Sequence, residues 1–408
     1  MKNENSFTTF DPRKESRPMN FILADFNKHK ELLPFTYTRP TCEIRCGILT
    51  LREKWEKQLE ETVSFQTEDY LQTKYPLVET NDNIVIAGNV FATAALCKAI
   101  KSLKPQQKLL AGNDLVAYRV KELHTPTIEL EQVLFLEEEV DGIDFTWDIF
   151  SKNGKALEAD FDLITKGRNS QPIPVSVNCI NEDRIFIEEG ATLQFATLNA
   201  STGAIYIGKD AEVMEGSIIR GAFALCDHSA TKLGTKVYGP TTVGPHSKIG
   251  GEVNNSVIFG FSNKGHDGFL GNSVIGEWCN LGADTNTSNL KNNYSEVKLW
   301  NYETGRFAKT GLQFCGLMMG DHSKCGINTM FNTGTVIGVS ANIYGAGYPR
   351  NFIPSFNWGG PQGNMTYKPA KAYEVADVVM KRRGLSLEQV DIDILDRVFE
   401  QTAQYRKD

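Results

Sequence analysis

From residue 187 onward, aliphatic side chains recur every six positions. They run Ile187 and Leu193; Ile207, Val213, Ile219 and Leu225; Val243 and Ile249; Ile275 and Leu281; then Met319, Cys325, Phe331, Ile337 and Ile343. Gly often follows directly, as in Ile207-Gly208, Val243-Gly244, Ile275-Gly276 and Ile337-Gly338. A period of six matches neither the 3.6 of a helix nor the 2 of an ordinary strand. It fits a parallel β-helix, in which each hexapeptide supplies one short strand and one turn. The aliphatic residue faces inward and stacks on the coil below. Stacking buries a continuous core that no single coil could bury alone. Gly and Asn suit the tight turns because they tolerate positive φ. The ladder predicts three-hexapeptide coils over 185–348, within a domain spanning 185–363. Most of the 35 Gly fall inside it.

The period breaks twice. Between Leu281 and Met319 the frame is lost, and residues 288–314 are polar, aromatic and charged. An insertion in a solenoid is free of the packing constraint and is a place where function sits. Its length lets it reach a neighbouring subunit. The second break, 259–270, contains Gly265-His266-Asp267-Gly268-Phe269. Beyond 363 a helical tail is expected over 364–408. Ser386-x-x-Gln389 reads as its capping box, with Leu395, Val398 and Phe399 on the apolar side.

The first 175 residues read as a separate α/β domain. Residues 19–25 and 83–87 have the pattern of buried strands, 48–61 and 92–104 that of helices. Residues 157–174 are polar with two prolines and read as a connection. Around the first strand, Arg39, Arg45 and Arg52 form a dense basic segment. They either cradle a phosphate, with Arg39 and Arg45 foremost, or pair with Glu43, Glu53 and their neighbours.

Composition narrows the function classes. The 408 residues carry 43 Lys+Arg against 50 Asp+Glu, so there is no basic footprint for a nucleic acid. No apolar run approaches the roughly 18 residues a membrane span requires. Eight Cys make no disulfide or zinc framework. The polar N-terminus lacks an apolar signal core, so a cytoplasmic protein is expected.

Residues 263–290, NKGHDGFLGNSVIGEWCNLGADTNTSNL, resemble the acetyltransferase site of the bifunctional UDP-N-acetylglucosamine pyrophosphorylase/glucosamine-1-phosphate N-acetyltransferase family. The family's motif runs Gly-His-x-x-Tyr-x-Gly, then Asn-x-Gly-Ala-Gly-Thr and a further Asn. The resemblance implies an α/β nucleotidyltransferase-like domain fused to a left-handed parallel β-helix that trimerises, with sites between subunits. It implies acetyl-CoA as co-substrate and an amino-sugar phosphate as acceptor. His266 becomes the general base, because an ammonium must lose its proton before it attacks a thioester and imidazole titrates near pH 7. Asn280 and Asn289 become orienting groups, with Lys264 and Phe269 beside them. Ala283 takes the thioester contact, and Gly326 and Gly345 the coenzyme A contacts. No metal is needed for that step.

The departures are specific. Phe269 replaces the family's Tyr. The basic residue a dozen positions before the His falls on Asn254-Asn255. The Arg after the Gly-Pro pair is replaced by Thr241-Thr242-Val243. A phosphate prefers Arg or Lys donors, so Lys264, Lys291 or Lys298 substitutes or the acceptor differs. A nucleotidyltransferase holds its nucleotide with a Gly-rich loop after the first strand. Here Phe26-Asn27-Lys28-His29-Lys30 follows, without Gly. Transfer from UTP or dTTP with Mg²⁺ is therefore expected to be weak or absent. Three readings stand: acetyltransferase, nucleotidyltransferase, and non-catalytic sugar-nucleotide-binding scaffold.

Overall fold

The computed structural model describes residues 19–135 and 137–406. The leader reading rests on residues outside them. Six strands form the N-terminal sheet: β1 (Asn20–Ala24), β2 (Val63–Gln66), β3 (Asn83–Ala87), β4 (Gln107–Ala111), β5 (Asp114–Val120) and β6 (Glu131–Leu134). Their order is β2-β1-β3-β5-β4-β6. β1 lies parallel to both β2 and β3, while β5 runs antiparallel to β3 and β4. β1 and β3 are buried nearly throughout, which is why both read as unbroken apolar runs. Helix α1 (Leu51–Leu59) starts at Thr50, whose side chain and that of Glu53 form a reciprocal capping box. Helix α2 is Ala94–Lys101.

The hexapeptide part is a parallel β-helix of three sheets with six, nine and ten strands. The expected ladder is there in register. Ile187, Ile207, Leu225 and Val243 stack on one sheet, and Leu193, Val213, Thr231 and Ile249 on the next. The fold class is the expected one.

Three local expectations fail for identifiable reasons. Residues 157–174 are not all connection, because helix α3 (Asn153–Thr165) fills the first half. Its polar composition misled because Asp160 is turned inward: it is buried, paired with Lys54, and accepts from the backbone N–H of Ile48 at 2.8 Å and Leu49 at 3.0 Å. The break at 259–270 is not a break. Strands Asn263–Lys264 and Phe269–Gly271 continue the pairing of the coil beneath, and the ladder looked lost because its inward position is held by Lys264. The tail forms α4 (Pro369–Lys381) and α5 (Gln389–Gln401), but the capping box of α5 is Glu388 with Asp391, not Ser386 with Gln389. The insertion forms a hairpin, Lys298–Asn301 with Arg306–Lys309, that folds back on its own chain. Tyr302 at its turn is buried against Tyr37, Phe352 and Tyr405.

One face of the β-helix is covered by the N-terminal part. Ile48, Leu49, Leu157 and Phe161 pack on Phe186, Ala204, Tyr206, Ala222 and Ala224. Thr242 Oγ1 donates to the Gly47 carbonyl at 3.0 Å. Gly47 has φ +89°, and a Cβ there would lie 2.4 Å from Asp160 Oδ2. Only glycine allows this approach.

Candidate functional site

The residues around His266 stack along one corner of the β-helix. The turn Gly265-His266-Asp267-Gly268 follows strand Asn263–Lys264. It sits tightly on Gly250, where a Cβ would come within 2.6 Å of the Gly265 carbonyl oxygen. On the coil above, the Asp284 N–H donates to the Asp267 carbonyl at 3.1 Å. One coil further, the Asn328 N–H donates to the Ala283 carbonyl at 2.8 Å. The Gly326 N–H donates to Ile343 at 2.8 Å, and Gly345 (φ +112°) turns the next coil. His266, Ala283, Gly326 and Gly345 thus occupy corresponding turns of successive coils. The His266 ring is exposed and makes no hydrogen bond among the described residues. Asn280 is exposed too, and its strand lies in register between Asn263 and Lys324.

Asn289 and Phe269 lie on the adjoining face. Asn289 Nδ2 donates to Asn272 Oδ1 at 2.8 Å. A Cβ on Gly271 would lie 2.5 Å from Phe269 Cζ and 2.7 Å from Asn289 Nδ2, so the aromatic ring and the amide close around that glycine. The candidates therefore form two groups, an open corner and a packed pair beside it.

Lys264 does not face solvent or a phosphate. It replaces an aliphatic ladder residue, stands between Ile249 and Leu281, and is 2% exposed. Its ammonium donates to the His266 carbonyl at 2.6 Å and the Gly250 carbonyl at 3.1 Å. Burial pushes its pKa down to about 8, against a smaller opposing pull from Asp267. Lys264 holds the His266 turn from within. Counting six from Ile258 would have placed it inward.

Arg39 and Arg45 form no phosphate cradle. Arg39 is buried, stands over the Phe259 ring, and pairs with Asp321 and, at 3.3 Å, with Glu277 of the β-helix. Arg45 bonds the Ile48 carbonyl and lies 3.6 Å from Glu53, while Arg52 takes Glu43 and Glu56. The local pairings were readable in the sequence. Arg39's partners, far along the chain, were not.

The turn-residue reading of His228, His246 and His322 matches the backbone, with φ of 57°, 59° and 60°. With Phe261 and Trp278 between them they form one stacked column, ring centroids 4.8, 4.8, 4.2 and 6.4 Å apart in order. Burial pushes the pKa of His322 down to about 4.

Sequence reasoning missed a second site. A cleft of about 760 Å³ opens at the carboxyl ends of β1, β2 and β3. β1 connects to neighbours on both sides, so this is where ligands enter open α/β sheets. Its charged groups are largely committed. Asp25 accepts from the Thr41 N–H at 2.7 Å, bonds Thr67, and has His29 Nδ1 at 3.2 Å. Lys28 pairs with Asp144 at 2.5 Å, and Asp141 with Lys152 and Lys155 at 2.9 Å each. Among the described residues no three His, Cys, Asp or Glu converge as a metal site. No helix among them is long and apolar enough to cross a membrane.

Residues 21–169 match the model of a sugar nucleotidyl transferase family. A bifunctional sugar-1-phosphate nucleotidylyltransferase/acetyltransferase of Sulfurisphaera tokodaii is 32% identical over 144 residues, 35% of each chain. The bifunctional protein GlmU of Methanocaldococcus jannaschii is 36% identical over 87 residues, 21% of each chain. The matched stretches thus span about a third or less of those relatives' length. A solved UDP-N-acetylglucosamine acyltransferase from Campylobacter jejuni shares 14% identity over 58% of this chain and 92% of its own, with a TM-score of 0.30, a likeness too slight to carry an argument. The chain is therefore similar to the bifunctional nucleotidylyltransferase/acetyltransferases, with a segment at 21–169 that matches a sugar nucleotidyl transferase family, joined to a hexapeptide β-helix.

Proposed function

We propose that this protein is a sugar-nucleotide enzyme whose β-helix transfers an acetyl group from acetyl-CoA to the amine of an amino-sugar phosphate. The observation that carries the reading is the exposed His266 ring, unbonded among the described residues, on the same corner as the turns of Ala283, Gly326 and Gly345. His266 takes a proton from the sugar ammonium. The freed amine forms a bond to the thioester carbonyl carbon, and the carbonyl π pair moves onto oxygen. The Ala283 N–H stabilises that oxyanion. The ring passes the first proton to solvent, then takes the second from the nitrogen of the tetrahedral intermediate. Collapse breaks the C–S bond and the leaving coenzyme A sulfur takes that second proton, so one proton is released overall. Asn280 orients the sugar. The turns of Gly326 and Gly345 carry the pantetheine arm along the same corner.

A second activity in the same chain is favoured by the cleft at β1–β3, which lies inside the matched segment 21–169. It would hold a sugar-1-phosphate or nucleotide, with Lys28 its nearest cation. A trimer whose sites lie between subunits belongs to the same proposal and is checked by mass in solution. The decisive assay follows thiol release from acetyl-CoA with glucosamine-1-phosphate, in wild type and His266→Ala. Equal rates in the two would refute the mechanism.

A further inference from the structure

The hairpin, α5 and the N-terminal part meet at a cleft of about 290 Å³ that neither proposed reaction uses. Four tyrosines line it: Tyr37, Tyr70, Tyr302 and Tyr405. Tyr70 and Tyr405 spend their hydroxyls on backbone carbonyls, of Tyr37 at 3.0 Å and of Tyr302 at 3.3 Å. Tyr302 does not. It is 7% exposed, its hydroxyl is buried, and no partner accepts or donates to it. A buried hydroxyl left unpaired is costly, so a group that pairs with it is bound with that cost removed.

The rim is acidic. Glu303, next along the hairpin, and Glu68 both line the cleft, and Asn301 of the same hairpin donates to Glu31 at 3.2 Å. Glu31 titrates above its ordinary value, through burial first and then through Glu303. Two carboxyl groups that repel one another are relieved by a cation. Tyrosine ring faces also attract cations. One lysine, Lys30, stands at the mouth and is exposed. The amides of Gln401 and Gln404 add neutral donors and acceptors along α5 and just beyond it.

We propose that this cleft binds a small polyhydroxylated amine of the amino-sugar class, its ammonium at Glu303 and its hydroxyls at Tyr302 and the glutamine amides. The cleft is large enough for one pyranose. It is a site apart from the His266 corner, and the proposal does not depend on acetyl transfer there. Glu68 lines both this cleft and the larger one at β1–β3, so an occupant would adjoin the nucleotidyltransferase-like site.

The test is calorimetric titration of the full chain with glucosamine, N-acetylglucosamine and glucose. Glucosamine should bind, and the two uncharged sugars about tenfold or more weaker, the effect of losing one charge-assisted hydrogen bond. Glu303→Gln should weaken glucosamine by a similar factor. Tyr302→Phe should weaken it about fivefold while leaving the melting temperature of the free protein unchanged or higher, since an unpaired hydroxyl is removed. Three outcomes would overturn the proposal: no binding at millimolar glucosamine, equal affinity for the uncharged sugars, or unchanged glucosamine affinity in both variants. The last would assign the binding to the His266 corner or elsewhere.

Discussion

The β1–β3 cleft and the His266 corner, each proposed above as a place for a sugar phosphate, are built in opposite ways. In the cleft the charged side chains are already spoken for. Asp25 braces three partners, Lys28 holds Asp144, and Asp141 holds two lysines. At the corner the rigidity comes from the backbone ladder and from Lys264 underneath, so His266 and Asn280 remain uncommitted. A charged group that already supports the fold cannot be released to a ligand without cost. On the proposed reading, proton transfer belongs to the corner and the cleft is a binding volume.

The largest expected effect tests the corner directly. His266→Ala should lower acetyl transfer by about 10²–10⁴-fold, the usual share of a general base. Its melting curve should match wild type, because the ring supports nothing, and raising the pH should partly restore the rate. Asp160→Ala removes a committed charge outside the cleft. It strands the buried Lys54 ammonium without its partner and should cost about 3–5 kcal/mol in urea unfolding. Removing both, as Lys54→Met with Asp160→Leu, should recover much of that loss.

A smaller effect concerns Lys264. The folded chain gives up this proton near pH 8, whereas the unfolded chain keeps it to about 10.5. The unfolded state therefore binds more protons between those values, and stability should rise with pH across that window. Lys264→Met should flatten this rise in melts taken from pH 7 to 10.5. Below pH 8 the variant should be no less stable, though its His266 turn should show faster amide exchange. The smallest effect falls on Arg45→Ala, which should change nucleotide or sugar-phosphate affinity of the cleft by less than about twofold. Lys28→Ala should weaken it by more, since phosphate binding depends on a nearby cation. The reverse ranking would return the site to the arginine segment.

The β-helix was legible because its core repeats: each coil solves the same packing problem, so Ile207, Leu225 and Val243 announce one another. His266, Asn280 and Ala283 drew notice through the resemblance of residues 263–290 to a known site, while the frame there was obscured by Lys264 at an inward position. What stayed hidden were contacts between elements remote in sequence. Arg39 meets Asp321 across the interface, and Asp160 reads as a surface residue until Lys54 and two backbone amides surround it. The hairpin was visible as an insertion, but nothing local said that Tyr302 would settle among Tyr37 and Tyr405. The cleft was hidden because strand order, not composition, creates it.

The hairpin settles a practical question of modularity. One continuous apolar cluster joins Leu32, Phe35 and Tyr37 of the N-terminal part, Val297, Leu299 and Tyr302 of the hairpin, and Ile394, Leu395 and Val398 of the tail. The sequence is written as separable segments, yet cutting it at residue 175 would leave two fragments with half of a shared interior each. A truncated β-helix would carry that bare surface into solution as a sticky edge, and co-expressed halves should reassemble rather than stand alone.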